Sequence, residues 1–284
     1  MMAFITRDNR DLSRRADPRP ARRFLSSLGW VLVWVLLWQL AAWKIGVALL
    51  LPSPLAVLRR LMELGGTAAF WATVGQSFLR IGQGFLSGAL LGTAFAVAAW
   101  RFRWVQAALR PPLSVIQATP VASFIILALV WVQTGWLSTF ISAMMVLPLV
   151  YHNLLQGLQS VDPLLLEMAQ VYGLSRGKRV RFFYLPALMP YLLSALGSGM
   201  GLAWKSGIAA EVLGRPAQTI GKAIYESKVY LEMPDLFAWA LTVILLSVLI
   251  ERVLVALFGR LERRLQRLRL DPHPAGKENP HASC

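Results

Sequence analysis

Long unbroken apolar blocks constrain this chain more than any other feature. Each is long enough to cross the roughly 30 Å hydrocarbon core of a bilayer as about 20 helical residues. Six spans are predicted, over about 28–50, 73–99, 113–133, 137–157, 187–210 and 236–258. Backbone groups in lipid must be satisfied internally, and the alternating ten-residue segments of a barrel are absent, so the blocks read as helices. A soluble domain is excluded on the same ground: 56% of residues are hydrophobic, only 15% are charged, and the apolar ones are clustered. The fold class is all-α, a polytopic membrane helical bundle.

The net charge of +15 could suit a nucleic-acid binder, but its distribution argues for a membrane protein. Seven Arg precede the first span, and Arg101, Arg103 and Arg110 follow the second. Arg176, Lys178, Arg179 and Arg181 follow the fourth, and Arg260, Arg263, Arg264, Arg267, Arg269 and Lys277 the sixth. The opposite loops keep only Arg59, Arg60, Arg215, Lys222 and Lys228. By the positive-inside rule both termini and the Arg-rich loops are cytoplasmic, in a multi-pass protein of the cell membrane surrounded by lipid. Three regions follow: a basic segment 1–27, a transmembrane part 28–258, and a basic helical extension with a disordered tail over 259–284.

The Arg-rich start resembles a signal peptide, and Arg22-Arg23-Phe24-Leu25 faintly a twin-arginine signal. The apolar run is too long and lacks a small-residue cleavage site, so a retained signal anchor is expected. One cysteine, Cys284, excludes an intrachain disulfide. His273, His281 and Cys284 read as an unstructured tail in preference to a metal cluster.

No catalytic constellation is present. A phosphate-cradling loop needs Gly five positions before a Gly-Lys pair, yet Tyr172 precedes Gly177-Lys178 and Pro216 precedes Gly221-Lys222 at that distance. Arg179 and Ala223 then stand where Ser or Thr is required. The chain is therefore expected to have no ATPase of its own. His152, beside Asn153, reads as a packing or interhelical hydrogen-bonding group.

Ionisable residues inside a membrane are functional candidates. Asp and Glu are absent from mid-span positions, which weakens a proton-coupled carrier; Glu211 and Glu251 lie near span ends. Arg80 and Lys205 lie in outer halves of their spans, facing protein or a water-filled cavity. Arg80 and Glu211 are expected to pair, and Lys205 to face a translocation path; the alternative for each is snorkelling to water. Small residues recur at Gly84, Gly88 and Gly92, and at Ser194, Gly197, Ser198, Gly199, Gly201, Ala203 and Gly207. Such spacing lets helices pack closely, either within one subunit or between two.

The polar, basic stretch Asp162–Pro186 lies between two apolar blocks. Asp162 suits a helix cap and Pro163 a first helical position; Leu164, Leu165, Met168 and Tyr172 follow at helical spacing. Gly173 ends that helix, and a second amphipathic stretch leads to Pro186, which opens the next apolar run. A helix, a bend and a helix are predicted.

This loop resembles the EAA loop of binding-protein-dependent ABC importer permeases: Glu167-Met168-Ala169, then Gly173, then Leu185-Pro186. Leu51-Pro52-Ser53-Pro54, Ser77-Phe78-Leu79-Arg80 with Gly84-Phe85, Thr119-Pro120, Asp162, and Ala203-Trp204 leading to Ala210-Glu211 resemble its nitrate, sulfonate and taurine branch. The resemblance covers about residues 30–258. Met168 replaces the usual Ala, the second half of the loop is unusually basic, and Thr219-Ile220-Gly221 is only similar to the family's Gly-Leu-Gly.

The resemblance implies a type I permease whose loop 159–186 couples to a partner through Asp162, Glu167, Ala169, Gly173, Arg176, Leu185 and Pro186. It implies two permeases, with an identical copy as the expected second subunit, on a dimer of cytoplasmic ABC ATPases. ATP and magnesium bind those partners, with no cofactor in this chain and no nucleic acid. A separate extracytoplasmic substrate-binding protein delivers a small solute such as nitrate, a sulfonate or taurine. A thiamine-precursor pyrimidine or other small organic nutrient is the alternative solute. A secondary transporter or channel is the alternative class.

Overall fold

The computed structural model describes residues 20–47 and 49–270, and among these every regular element is a helix. They are α1 (Pro20–Ile45), α2 (Pro54–Gly65), α3 (Ala68–Arg101), α4 (Arg103–Ala118), α5 (Val121–Ala128) and α6 (Thr134–Gln159). Then come α7 (Pro163–Val171), α8 (Arg176–Arg179), α9 (Leu185–Gly214), α10 (Ile220–Val229) and α11 (Met233–Leu270). The basic start 1–19 and the tail 271–284, including His273, His281 and Cys284, lie outside the described residues.

Among the described residues four helical stretches are long and apolar enough to cross a membrane: α3, α6, the continuous run Arg176–Gly214, and Met233–Leu257 of α11. The first predicted span is the peripheral α1, which stops at Ile45 rather than 50 because Gly46 takes a positive φ of 66°. The third departs further. Instead of one helix over 113–133, α4 and α5 meet at a bend of 108°. Pro120 is the cause: it holds the preceding Thr119 extended (ψ 128°), which no α-helix accommodates. α11 continues as a helix through Leu270.

The core is a three-helix unit in which α3 and α6 run parallel and α9 antiparallel to both. Lipid tails supply no hydrophobic force between helices, so close backbone packing and side-chain hydrogen bonds must hold them. The glycine stripe of α3 serves this role. A Cβ on Gly88 would lie 2.5 Å from the Ala143 carbonyl oxygen, and one on Gly92 2.7 Å from that of Leu147. Gly207 of α9 meets Ile81 and Ser142 as closely. Thr139 Oγ1 donates to the Arg80 carbonyl at 3.0 Å and Ser142 Oγ to that of Ala203 at 3.1 Å. Trp204, fully buried, donates from Nε1 to the Val243 carbonyl at 3.3 Å, which fixes α11 to the core.

One end of the bundle carries α2 and α10, the other α7 and α8. Ser53 caps α2, accepting from the Ala56 N–H at 3.3 Å. Arg60 of α2 donates from Nε and Nη2 to the two Asp235 carboxylate oxygens at 2.6 and 2.9 Å, clamping α2 to the start of α11. Those hydrogen bonds, with a further one to Glu63, raise the Arg60 pKa above its ordinary value.

Candidate functional site

The loop after α6 is built by local rules. Asp162 Oδ1 accepts from the Leu164 N–H at 2.9 Å and Pro163 takes the first helical position, so α7 starts where the sequence predicts. It ends on Gly173, whose φ of 64° suits a residue without Cβ. The Leu174 N–H then returns to the Ala169 carbonyl at 2.9 Å and the Gly173 N–H to that of Gln170 at 3.0 Å, a Schellman closure. Ala169 is the one buried residue of α7, which explains a small side chain there. Leu164, Met168, Val171 and Tyr172 are exposed, Val171 at 85% and Tyr172 at 78%, beside exposed Glu167. These apolar groups stand outside the bundle's own core.

The predicted second helix is present from Arg176 and runs on into the next apolar block. From Arg176 the chain is helical without interruption to Gly214, and Pro186 does not open a new element. A π turn at Val180–Tyr184 absorbs the proline, with the Leu185 N–H reaching the Val180 carbonyl five residues back. A widened turn eases the clash between a proline ring and the preceding turn. Arg176, Lys178 and Arg181 are exposed along this stretch, as are Phe182 and Leu185. Edge-on contact between Tyr184 and Trp100, centroids 5.2 Å apart, holds it to the end of α3. All seven predicted coupling residues therefore lie at one end of the bundle, on or beside a single helical run.

Lys205 is exposed on α9 while Ala203, Trp204, Ser206 and Gly207 around it are buried. It lines a groove of about 730 Å³ between α9 and α11, with Ser194, Gly197, Ser198 and Gly201 on one wall and Ser247 and Glu251 on the other. The α9 small residues thus divide: Gly207 packs inside the subunit, and Gly201, with nothing near its absent Cβ, opens onto the groove. Glu251, read as a span-end charge, shares that groove.

Arg80 and Glu211, expected to pair, lie close enough for the guanidinium's charge to act on the carboxylate but share no direct hydrogen bond. Glu211 is fully buried and its Oε2 accepts from Ser77 Oγ at 2.7 Å and from the Gly221 N–H at 3.3 Å. Oε1 of Glu211 and Nη1 of Arg80 are buried without hydrogen-bond partners. Ser77 Oγ, one turn before Arg80, and the Gly221 amide occupy Oε2, and the guanidinium acts on the carboxylate through its charge without a hydrogen bond. Ser77 was visible only as part of a motif; its partner lies 134 residues away. His152 is exposed on α6 against the edge of Tyr151, and Asn153 donates to the Leu149 carbonyl of its own helix, so neither joins two helices.

Among the described residues no group of His, Cys, Asp or Glu could hold a metal ion. The chain is 25% identical over 230 residues to the taurine transport system permease protein of Escherichia coli (strain K12), covering 79% of this chain and 83% of that one. It is 26% identical over 230 residues to the riboflavin transport system permease protein of Chloroflexus aurantiacus, covering 76% and 85%. Its fold matches a chain of the bacterial alginate ABC transporter, solved with an alginate pentasaccharide-bound periplasmic protein, at a TM-score of 0.55 and 15% identity over 86% of this chain and 96% of that one. Residues 88–267, which hold the C-terminal part of α3, the whole Asp162–Pro186 loop and nearly all of both groove helices, match the family described as binding-protein-dependent transport system inner membrane component. An all-helical bundle with an exposed EAA-type loop belongs to that family, and this chain is a permease of a binding-protein-dependent ABC importer.

Proposed function

We propose that the α7 end of the bundle is cytoplasmic and docks on an ABC ATPase, while the α9–α11 groove faces a second copy of the chain and forms half of the solute path. The carrying observation is the exposed apolar face of α7, fixed by Asp162 and Gly173 and joined to the core by one unbroken helix from Arg176 to Gly214. Exposed Leu164, Met168, Val171 and Tyr172 supply burial, and the following basic residues meet an acidic rim. Clustering of Arg and Lys at this end orients it inward by the positive-inside rule, with both termini on the same side. ATP and magnesium belong to the ATPase.

A small anion such as a sulfonate, taurine or nitrate is the favoured solute, because Lys205 places a cation in the groove. The riboflavin permease relative favours a second reading, a small organic nutrient. Mass spectrometry of the ligand carried by the cognate binding protein separates the two.

The docking assignment is tested with Glu167→Arg and Gly173→Trp. The first reverses a charge on the exposed face; the second forces bulk onto a positive φ. Both variants are expected to insert, to lose copurifying ATPase and to lose uptake by about tenfold or more. Wild-type uptake with normal ATPase stimulation in either would overturn the assignment.

A further inference from the structure

Glu211 is a fully buried carboxylate on which three helices converge. Each of the first three N–H groups of α10 has an acceptor: Ile220 donates to Ser77 Oγ at 2.9 Å, Gly221 to Glu211 Oε2 at 3.3 Å, and Lys222 to Thr219 Oγ1 at 3.3 Å. Ser77 Oγ donates in turn to Glu211 Oε2 at 2.7 Å, so α3, α9 and α10 share one node. Ser77, Thr219 and Ile220 are buried with it, at 0%, 1% and 0% exposure. Gly221 makes the approach possible, since a Cβ there would collide with Glu211 Cβ and the Val212 amide.

We propose that Glu211 is a positioning residue that fastens α10 to the outer end of α9, so that force applied at α10 reaches the coupling segment. The path is covalent and stiff: α9 is the same helical run that begins at Arg176. α10 has few other attachments at its free face, where Arg215, Lys222, Tyr225, Glu226 and Tyr230 border a recess open to the outside. Loss of the node leaves α10 held by loops and by the apolar packing of Ile220, Ala223 and Ile224 against the core, without its polar anchor to α9. The binding protein then pushes on a helix that slides instead of one that moves α9. This rests on the importer reading above.

The test uses the permease–ATPase complex in nanodiscs with the transporter's own binding protein, added as purified. Amide exchange over residues 219–230 reads the fastening, and ATPase stimulation by the binding protein reads the coupling. Glu211→Leu and Gly221→Ala are expected to speed exchange of Ile220, Gly221 and Lys222 about tenfold. Both should lose most stimulation while basal ATPase activity stays at wild type. Glu211→Gln keeps an acceptor oxygen and is expected to stay within about twofold of wild type on both readouts. Where Glu211→Leu fails to assemble, Ser77→Ala carries the same expectation for Ile220. Wild-type exchange or wild-type stimulation in the Leu and Ala variants overturns the proposal, as does a Gln variant as defective as Leu. A wild-type complex without any stimulation overturns the docking and coupling of the proposed function instead, and the exchange arm still decides the fastening.

Discussion

Lys205 is exposed between buried neighbours on α9, in a groove shared with Glu251. A cation there is tolerated where water enters, since a charge at mid-bilayer costs about 2.5–3.5 kcal/mol on insertion scales. Replacing Lys205 by Met is expected to weaken anion uptake and by Glu to reduce it about tenfold, with ATPase assembly intact. Unchanged uptake of an anionic solute by the Glu variant would remove Lys205 from the path. Arg60 gives a second test at this scale. Its two-pronged contact with Asp235 joins α2 to α11 but is partly exposed, with Arg60 at 40% and Asp235 at 15% side-chain accessibility. A double-mutant cycle with Arg60→Ala and Asp235→Ala should give a coupling of about 0.5–1 kcal/mol, reduced by salt. Zero coupling at low ionic strength would show that solvent screens the clamp.

At the scale of elements, α7 is made by its ends. Asp162→Ala removes the acceptor of the Leu164 N–H and is expected to cost about 1 kcal/mol of local stability, read as faster exchange at Leu164 and weaker ATPase binding. Retained protection at Leu164 would mean that tertiary contacts hold the first turn without its cap. The α3–α6 contact makes a sharper prediction. Gly88 lies against the Ala143 backbone, whereas Gly82 has open space around its missing Cβ. Gly88→Leu should therefore destabilise the bundle by about 3 kcal/mol or more in thermal unfolding, and Gly82→Leu should leave it close to wild type. Equal behaviour of the two variants would contradict the parallel α3–α6 packing. The bend at Thr119-Pro120 and the π turn before Pro186 are both proline effects, yet they differ in outcome. In one the chain turns by 108°, in the other the helix widens and continues.

For the whole molecule, the groove between α9 and α11 is the face left over once α3, α6 and α9 have packed. A symmetric pair of chains places residues of this groove near their own copies. The sequence holds a single cysteine, so Cys284→Ser gives a clean background. Ser198→Cys in that background is expected to yield a covalent permease dimer on mild oxidation in membranes. A chain that stays monomeric while transport persists would point to a heterodimer or to another face.

The apolar blocks, the charge asymmetry and the end signals of α7 were legible in the sequence because their causes are local. Span length, an Asp-Pro start and a Gly stop act within a few residues of one another. The family resemblance was legible for the same reason, since the residues that carry its loop lie within one short stretch. What the sequence could not rank were interactions between distant positions. It placed Arg80 and Glu211 at similar depth and joined them by charge, but the fold brought Ser77 and the first turn of α10 closer to the carboxylate. It read the α9 small residues as one stripe, and only packing assigned Gly207 to the core and Gly201 to the groove. Depth along a helix follows from counting residues; which side of that helix meets a neighbour depends on three crossing axes that no single segment encodes.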